Sequence, residues 1–266
     1  MSRIKDALKK AKLEREGLKP VSMAYRPVQK PDSKPITGKI QTKIISYSED
    51  AAKKHKLITP YLEDPNLAER LKLLRTKVLS ETQANDDRTI LITSSLDKEG
   101  KTFIAVNLAI TFAREVDQTV LLVDVNLKNP SVLNAFGIQA EEGLTDYLLY
   151  DKSLSDLLIR PGIEKLVILP SGKPVENSAE LLRSLKMQDL VKEMKNRYGD
   201  RYIFFDAPSI LTSVDTMVMS KYIDRTLFVI ESGRVQPEKV LEALNLLEED
   251  KILGTILNKR DIAGFQ

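Results

Sequence analysis

The residues best suited to do chemistry lie in one short stretch, SSLDKEGKT at residues 94–102. An apolar run precedes it and a stretch with helical periodicity follows it. At such a turn between a strand and a helix, successive backbone N–H groups bind anions, helped by the helix N-terminus. Lys101 can reach the terminal phosphates of a nucleotide, the Thr102 hydroxyl can bind Mg²⁺, and Gly100 lets the backbone approach the phosphates. The stretch predicts a phosphate-binding loop for ATP and Mg²⁺.

The loop departs from the usual pattern, because Ser95 stands where a glycine is expected. A lone Gly-Lys-Thr also occurs by chance, so the alternative interpretation is an ordinary turn with a solvated lysine. The position of the loop between a strand and a helix favours phosphate binding. The residues that we predict to bind nucleotide from this loop are Ser95, Lys98, Glu99, Gly100, Lys101 and Thr102.

Two aspartates end apolar runs further along the chain. Asp124 ends the run in LLVDVNLKNPSV, and Asp206 ends the run in YIFFDAPS. Ligands of open α/β sheets bind beyond the carboxyl ends of the strands, so both carboxylates are expected beside the phosphate loop. One can bind Mg²⁺ and the other can accept a proton from an attacking hydroxyl. Each aspartate alone could equally be a turn or cap residue.

The elements that must position these residues alternate along the chain. We predict strands at 89–93, 119–124, 166–170, 202–206, 226–231 and 253–258, and helices at 101–114, 178–197, 211–221 and 237–249. A further helix begins near Asn66, with Leu67, Leu71 and Leu74 on one face. Nearly continuous apolar strands alternating with helices predict a three-layer α/β fold with a mostly parallel sheet, typical of P-loop NTPases.

Composition excludes several classes of chemistry. The chain of 266 residues has no cysteine and one histidine, His55, which excludes thiolate sites and disfavours histidine-based metal sites or triads. No apolar run approaches the roughly 20 residues that span a bilayer. The N-terminus lacks the apolar core of a signal peptide, so we expect a cytoplasmic protein.

The N-terminal part of the chain differs in charge from the rest. Residues 1–60 hold 15 Lys and Arg against 6 Asp and Glu, whereas residues 61–266 hold 26 against 32. Residues 2–16 have the pattern of a basic amphipathic helix, and residues 17–60 are rich in proline and lysine. We therefore predict a basic, largely disordered arm at 1–60 and a nucleotide-binding domain at 61–266. The helix can contact an anionic membrane or a partner, or be merely solvated; nothing indicates nucleic acid.

The order and spacing of these motifs over residues 62–260 resemble bacterial tyrosine kinases of exopolysaccharide synthesis, the BY-kinase family, whose fold is of the MinD/ParA class. The resemblance implies that Lys101 binds phosphates, that Thr102 and Asp206 bind Mg²⁺, and that Asp124 acts in acid–base or metal chemistry. It also implies assembly of homo-oligomers through the helix at 69–75 and a membrane-embedded polysaccharide co-polymerase of the chain-length regulator type as partner. By the same resemblance, Asn258 lies near the nucleotide base, although it could equally cap a strand.

Four departures from the family pattern indicate altered chemistry. The usual Pro-Gly of the loop is Asp97-Lys98, and a second acidic residue after Asp124 is Asn126. The usual Thr-Pro-Pro after Asp206 is Ala-Pro-Ser, and no tyrosine follows Tyr222. Loss of one positioned general base typically costs on the order of 10²–10⁴ in rate. We therefore expect Mg-ATP binding with weak or lost tyrosine kinase activity.

Three functions remain open. The first is a BY-kinase-like regulator of exopolysaccharide polymerisation and export, peripheral at the inner face of the plasma membrane. The second is a MinD/ParA-type positioning ATPase, which is disfavoured because Leu96 replaces the additional lysine of that class. The third is a non-catalytic scaffold without nucleotide.

Overall fold

A computed structural model describes residues 43–260 except 61, 63 and 198. The predicted helix at 2–16 and the first part of the predicted arm lie outside the described residues, as do residues 261–266. None of the helices in the described part has the length and apolarity that crossing a bilayer requires.

The described residues form eight strands and ten α-helices. The strands are β1 (Lys43–Ile44), β2 (Thr89–Ser94), β3 (Thr119–Asp124), β4 (Ile159–Arg160), β5 (Leu166–Leu169), β6 (Arg201–Asp206), β7 (Arg225–Glu231) and β8 (Ile252–Asn258). The helices are α1 (Glu49–Lys54), α2 (Pro65–Thr82), α3 (Lys101–Ala113), α4 (Val132–Phe136), α5 (Leu144–Tyr150), α6 (Leu154–Leu157), α7 (Ser178–Arg183), α8 (Leu185–Arg197), α9 (Asp215–Ser220) and α10 (Pro237–Leu244). Short 3₁₀ turns occupy Gln83–Asn85 and Glu249–Lys251.

All eight strands belong to one sheet, in the order β1-β4-β5-β3-β6-β2-β7-β8. Every neighbouring pair is parallel except β4 with β5. Because β3, β6 and β2 are parallel neighbours at the centre, their carboxyl ends lie at the same rim. The chain segments that follow these three strands are therefore close together.

The sheet is buried on both faces, as its apolar strands predict. Successive residues of β2 alternate between two hydrophobic clusters: Ile90 and Ile92 pack with α2 and α3, whereas Leu91 packs with α8 and α9. Helix α3 is almost wholly buried, and its Phe112 ring packs against Phe204 of β6 with the ring centroids 5.0 Å apart. The three-layer fold with a mostly parallel sheet is therefore confirmed.

Residues 43–60 differ from the prediction, which assigned them to a flexible linker. They contain β1 and α1, and Leu57 and Ile58 are buried in the core. The backbone of Ile58 is held on both sides: its N–H donates to Asn107 Oδ1 at 2.7 Å, and its carbonyl accepts from Arg114 at 2.9 Å. The prediction was wrong here because a few apolar residues, joined to α3 by hydrogen bonds, order a segment of largely polar composition.

The helix predicted at 178–197 is two helices, α7 and α8. Ser184 separates them with an extended backbone, φ −58° and ψ 150°, and its hydroxyl accepts the N–H of Met187 at 3.2 Å. Ser184 thus caps α8, a role for which serine is well suited. The short elements β1, β4, α1, α4, α5 and α6 were not predicted, because each is too short to show a clear hydrophobic period.

Candidate active site

The phosphate loop connects β2 to α3, and two of its residues adopt left-handed backbone conformations. Gly100 has φ +98°, and a Cβ at this position would lie 2.1 Å from Asn258 Nδ2. Only glycine meets both conditions. Lys98 has φ +69° and an exposed side chain. For a residue with a Cβ this conformation costs on the order of 1 kcal/mol, so the loop is locally strained.

Two side chains brace the loop from the protein side. Glu99 is fully buried; its Oε2 accepts the N–H of Leu96 at 2.8 Å, and its Oε1 accepts the N–H of Glu231 at 3.3 Å. Asn258, at the end of β8, donates through Nδ2 to the Glu99 carbonyl at 2.9 Å. Both residues were predicted to bind nucleotide, and in the structure their side chains hold the loop in shape.

Asp124 and Asp206 lie side by side where β3 and β6 end, since the two residues are register partners on these neighbouring strands. The Thr102 hydroxyl, at the start of α3, donates to Asp206 Oδ2 at 2.7 Å. Thr102 Oγ1 is also 2.9 Å from Ser131 Oγ. The fold thus brings the loop threonine and both strand-end aspartates together.

Asp124 is fixed by backbone N–H groups of the segment that follows it. Its Oδ2 accepts from Ser131 at 2.9 Å and Val132 at 3.0 Å, and its Oδ1 accepts from Asn126 at 3.1 Å. The side chain of Asn126 serves the same turn, because its Oδ1 accepts the N–H of Asn129 at 3.4 Å. Asp124 is therefore held in one orientation.

Burial of the two carboxylates dominates their electrostatics. Burial raises the pKa of Asp124 to about 6, against the lowering effect of its three backbone hydrogen bonds and of Lys101. Burial, together with the charge of Asp124, raises the pKa of Asp206 to about 8, while Thr102 and Lys101 oppose the rise. Two adjacent buried carboxylates disfavour simultaneous ionisation, so a cation at this position would be strongly favoured.

The donor set fits a magnesium ion. Among the described residues Asp206 Oδ1 is buried and has no hydrogen-bond partner, which leaves a carboxylate oxygen available to a cation. No group of three or more His, Asp or Glu side chains in the described part of the chain could hold a metal without other ligands. The Asp206 carboxylate and the Thr102 hydroxyl form a sparse oxygen set typical of Mg²⁺ sites, in which phosphates and water complete the coordination.

The lysine of the loop lies at the mouth of this site. Lys101 is 8% exposed, and its Nζ is 3.6 Å from Asp97 Oδ1. Ser209, after β6, donates a hydrogen bond from its hydroxyl to the same Asp97 oxygen. The fully buried Ser95 lies at the beginning of the loop, and no described residue makes a hydrogen bond to its hydroxyl.

The contacts of three residues were missed from the sequence: Asp97, Ser131 and Ser209. Asp97 and Ser209 were noted only as departures from the family pattern, and no sequence signal linked them. Ser131 lies seven residues after Asp124 in an ordinary turn sequence. Beside Asp124 the structure also has a cavity of about 640 Å³, lined on its walls by Leu133, Asn134, Gln139 and Ser171 among others.

The strand–loop–helix motif and the central parallel strands place the chain in the P-loop NTPase fold class. No protein-family model matches the chain. The chain is 32% identical over 198 residues to the tyrosine-protein kinase YwqD of Bacillus subtilis, covering 74% of this chain and 82% of that protein. It is 29% identical over 189 residues to the tyrosine-protein kinase CpsD of Streptococcus agalactiae, covering 70% of this chain and 79% of that one. The chain belongs to the family of bacterial tyrosine-protein kinases.

Solved structures share the fold of this chain. The crystal structure of the chimerical protein CapA2B2 aligns with a TM-score of 0.68 and 26% identity, covering 82% of this chain and 93% of that one. The septum site-determining protein MinD of Pyrococcus horikoshii, complexed with Mg-ADP, aligns with a TM-score of 0.55 and 24% identity over 66% of this chain and 72% of that one. The second similarity shows the fold alone.

Proposed function

We propose that the chain binds Mg-ATP in the site formed by Lys101, Thr102, Asp124 and Asp206. In this proposal it regulates exopolysaccharide polymerisation and export as a BY-kinase-like protein with weak or lost tyrosine kinase activity. The observation that carries the proposal is the hydrogen bond of 2.7 Å from Thr102 to Asp206, with Asp124 in register beside it. This contact joins the phosphate loop to the two aspartates at the carboxyl ends of β3 and β6.

Each residue of the site has a distinct role in the proposal. The Lys101 ammonium contacts the terminal phosphates from the first turn of α3. Thr102 and Asp206 bind Mg²⁺, which neutralises negative charge on the phosphate oxygens when it is bound. Asp124, whose pKa is raised to about 6 by burial, accepts the proton of an attacking hydroxyl. The cavity beside Asp124 offers room for the group that bears this hydroxyl.

Weak kinase chemistry is proposed because of Asn126, which lies two residues after the proposed base Asp124. Asn126 stands where the family pattern has a second acidic residue, and an amide neither accepts a proton nor offers a charged metal ligand. Its side-chain oxygen already accepts the Asn129 N–H, so it supports the turn that holds Asp124. Nucleotide binding depends on Lys101, Thr102 and Asp206, so it should persist where chemistry is reduced.

The proposed partners follow from the family resemblance and from the exposed residues of α2. By the family resemblance, the proposed partner is a membrane-embedded polysaccharide co-polymerase, and the proposed location is the cytoplasm at the inner face of the plasma membrane. Self-assembly would use residues 69–75. Glu69 and Lys72 are exposed there and pair at 3.2 Å, whereas Arg75 is tied to Glu115 of its own chain at 2.7 Å. The exposed residues of this stretch, which include Leu73 beside the Glu69–Lys72 pair, are therefore the ones that can contact another copy.

Two alternatives have less support. This chain lacks the additional lysine that is characteristic of positioning ATPases of the MinD/ParA type, because Leu96 stands at that position. A scaffold without nucleotide would have no need for two buried carboxylates, one of which has an oxygen unpartnered by any described residue. Burying such a group without a ligand costs on the order of 1–3 kcal/mol, and this cost favours a function in which a ligand binds there.

One experiment separates these functions. The purified chain is incubated with Mg-ATP, with and without the cytoplasmic segment of a candidate co-polymerase, and bound nucleotide, ADP release and phosphotyrosine are measured together. Light scattering on the same samples reports assembly. We expect stoichiometric bound nucleotide and little phosphotyrosine. Robust phosphotyrosine that disappears in Lys101→Met would refute the loss of kinase activity, and absence of bound nucleotide would favour the scaffold.

A further inference from the structure

We infer that Asp97 is a specificity-determining residue that opposes the terminal phosphate of a triphosphate and so shifts the preference of the site toward nucleoside diphosphates. The inference rests on the proposed function, since it concerns which nucleotide the same site retains. The structure carries it through the contacts of the Asp97 carboxylate with Lys101 and Ser209.

The carboxylate of Asp97 lies next to the Lys101 ammonium, the group that would bind phosphate. Its Oδ1 is 3.6 Å from Lys101 Nζ, and the Lys101 side chain is 10% exposed whereas that of Asp97 is 65% exposed. The Lys101 side chain is therefore largely buried, and the more exposed Asp97 carboxylate lies between its ammonium group and the solvent. A phosphate that approaches Lys101 meets the carboxylate at close range.

Ser209 prevents the carboxylate from simply turning away. Its hydroxyl donates to Asp97 Oδ1, and the residue is fully buried. The segment before it is itself fixed, because the Pro208 carbonyl accepts hydrogen bonds from Thr93 and Thr216, each at 2.7 Å. The acidic group is thus tethered to the rigid rim of the sheet.

The consequence is electrostatic and depends on the number of phosphates. Asp97 competes with a terminal phosphate for Lys101 and also repels it, and a triphosphate brings more negative charge to this point than a diphosphate. Charges about 4 Å apart interact at the surface of a protein, and solvent screens much of this interaction for a carboxylate as exposed as that of Asp97. We expect the net effect on the ratio of ATP to ADP affinity to be on the order of tenfold.

Asp97 and Ser209 contact each other across 112 residues of sequence. The loop is also braced by Glu99 and Asn258, whose hydrogen bonds involve neither Asp97 nor Ser209.

The test measures dissociation constants for ATP and ADP, each with excess Mg²⁺, on the unmodified chain and three variants. Asp97→Asn removes the charge and keeps the size of the side chain. Ser209→Ala removes the tether and keeps the charge. The matched control is Asp117→Asn, because Asp117 is an exposed aspartate in the turn that precedes β3, at the opposite end of that strand from the site.

In Asp97→Asn, ATP binding should tighten by about tenfold relative to ADP, and Ser209→Ala should shift the ratio in the same direction by less. Asp117→Asn should keep the ratio of the unmodified chain. An unchanged or lowered ratio in Asp97→Asn, with both nucleotides still bound, would overturn this inference and leave the proposed function standing. If neither the unmodified chain nor any variant binds either nucleotide while all remain folded, the proposed function and this inference both fail.

Discussion

Protonation of Asp206 stabilises the fold in the absence of metal, whereas the proposed binding of Mg²⁺ uses its ionised carboxylate. Its pKa, like that of Asp124, is higher in the folded protein than the ordinary value, so the folded state binds protons more tightly than the unfolded state. The stabilising contribution is fully present below about pH 4 and is lost as the pH rises through about 8. In the absence of magnesium, the free energy of unfolding should therefore fall over this range.

Asp206→Asn should flatten this dependence. At pH 8 without magnesium we expect the variant to be more stable than the unmodified chain by about 1–3 kcal/mol, because a buried charge with an unpartnered oxygen has been removed. Chemical denaturation at several pH values measures this. Mg-ATP should raise the melting temperature of the unmodified chain and leave that of Asp206→Asn unchanged. Parallel pH curves for the two proteins would contradict this account of the acidic pair.

At this scale the sequence predicts the residues that belong to a motif and misses those that only the fold brings together. Lys101, Thr102, Asp124 and Asp206 could be named because strand ends and the phosphate loop have recognisable neighbours. The contact between Asp97 and Ser209 joins two loops far apart in sequence, so no local pattern reports it. Glu99 was named as a ligand, but its side chain is turned into the loop.

Among the elements, the segment at 43–60 gives the most informative difference between sequence and structure. Long apolar strands such as β2 and β6 were predicted nearly to the residue because burial on both faces leaves a continuous apolar run. The segment at 43–60 has no such run. It is ordered by three small contributions: a serine cap on α1, buried Leu57 and Ile58, and hydrogen bonds to α3.

Leu57→Ala should lower the free energy of unfolding by about 2–5 kcal/mol if the segment is part of the core, since a fully buried leucine leaves a cavity when truncated. Leu57 is 1% exposed. Urea denaturation of the full chain measures the change, and Lys54→Ala on the exposed side of α1 is the matched control. Equal stability of the two variants would mean that residues 43–60 behave as the linker that composition suggests.

For the whole molecule, the distribution of charge is the property that predicts location. The excess of Lys and Arg in residues 1–60 opposes an excess of Asp and Glu in the remainder. A basic amphipathic segment binds anionic lipid with an affinity that falls as salt is raised. We propose that residues 2–16 provide this contact.

Deletion of residues 2–16 should abolish most sedimentation with vesicles that contain anionic phospholipid and have no effect on nucleotide affinity. Vesicles of neutral phospholipid are the control, and binding of the full chain should weaken between low and high salt. If the deletion sediments with anionic vesicles as well as the full chain does, the basic segment is not the membrane contact.

The central claim is that Lys101, Thr102, Asp124 and Asp206 form one nucleotide–metal site, and isothermal titration calorimetry with ATP tests it most directly. The full chain is titrated with ATP in the presence and absence of Mg²⁺, beside Lys101→Met with its fold verified by circular dichroism. We predict magnesium-dependent binding at one site per chain that Lys101→Met loses. A folded chain that gives no heat and retains no nucleotide, or a Lys101→Met variant that binds Mg-ATP with unchanged affinity, would contradict it.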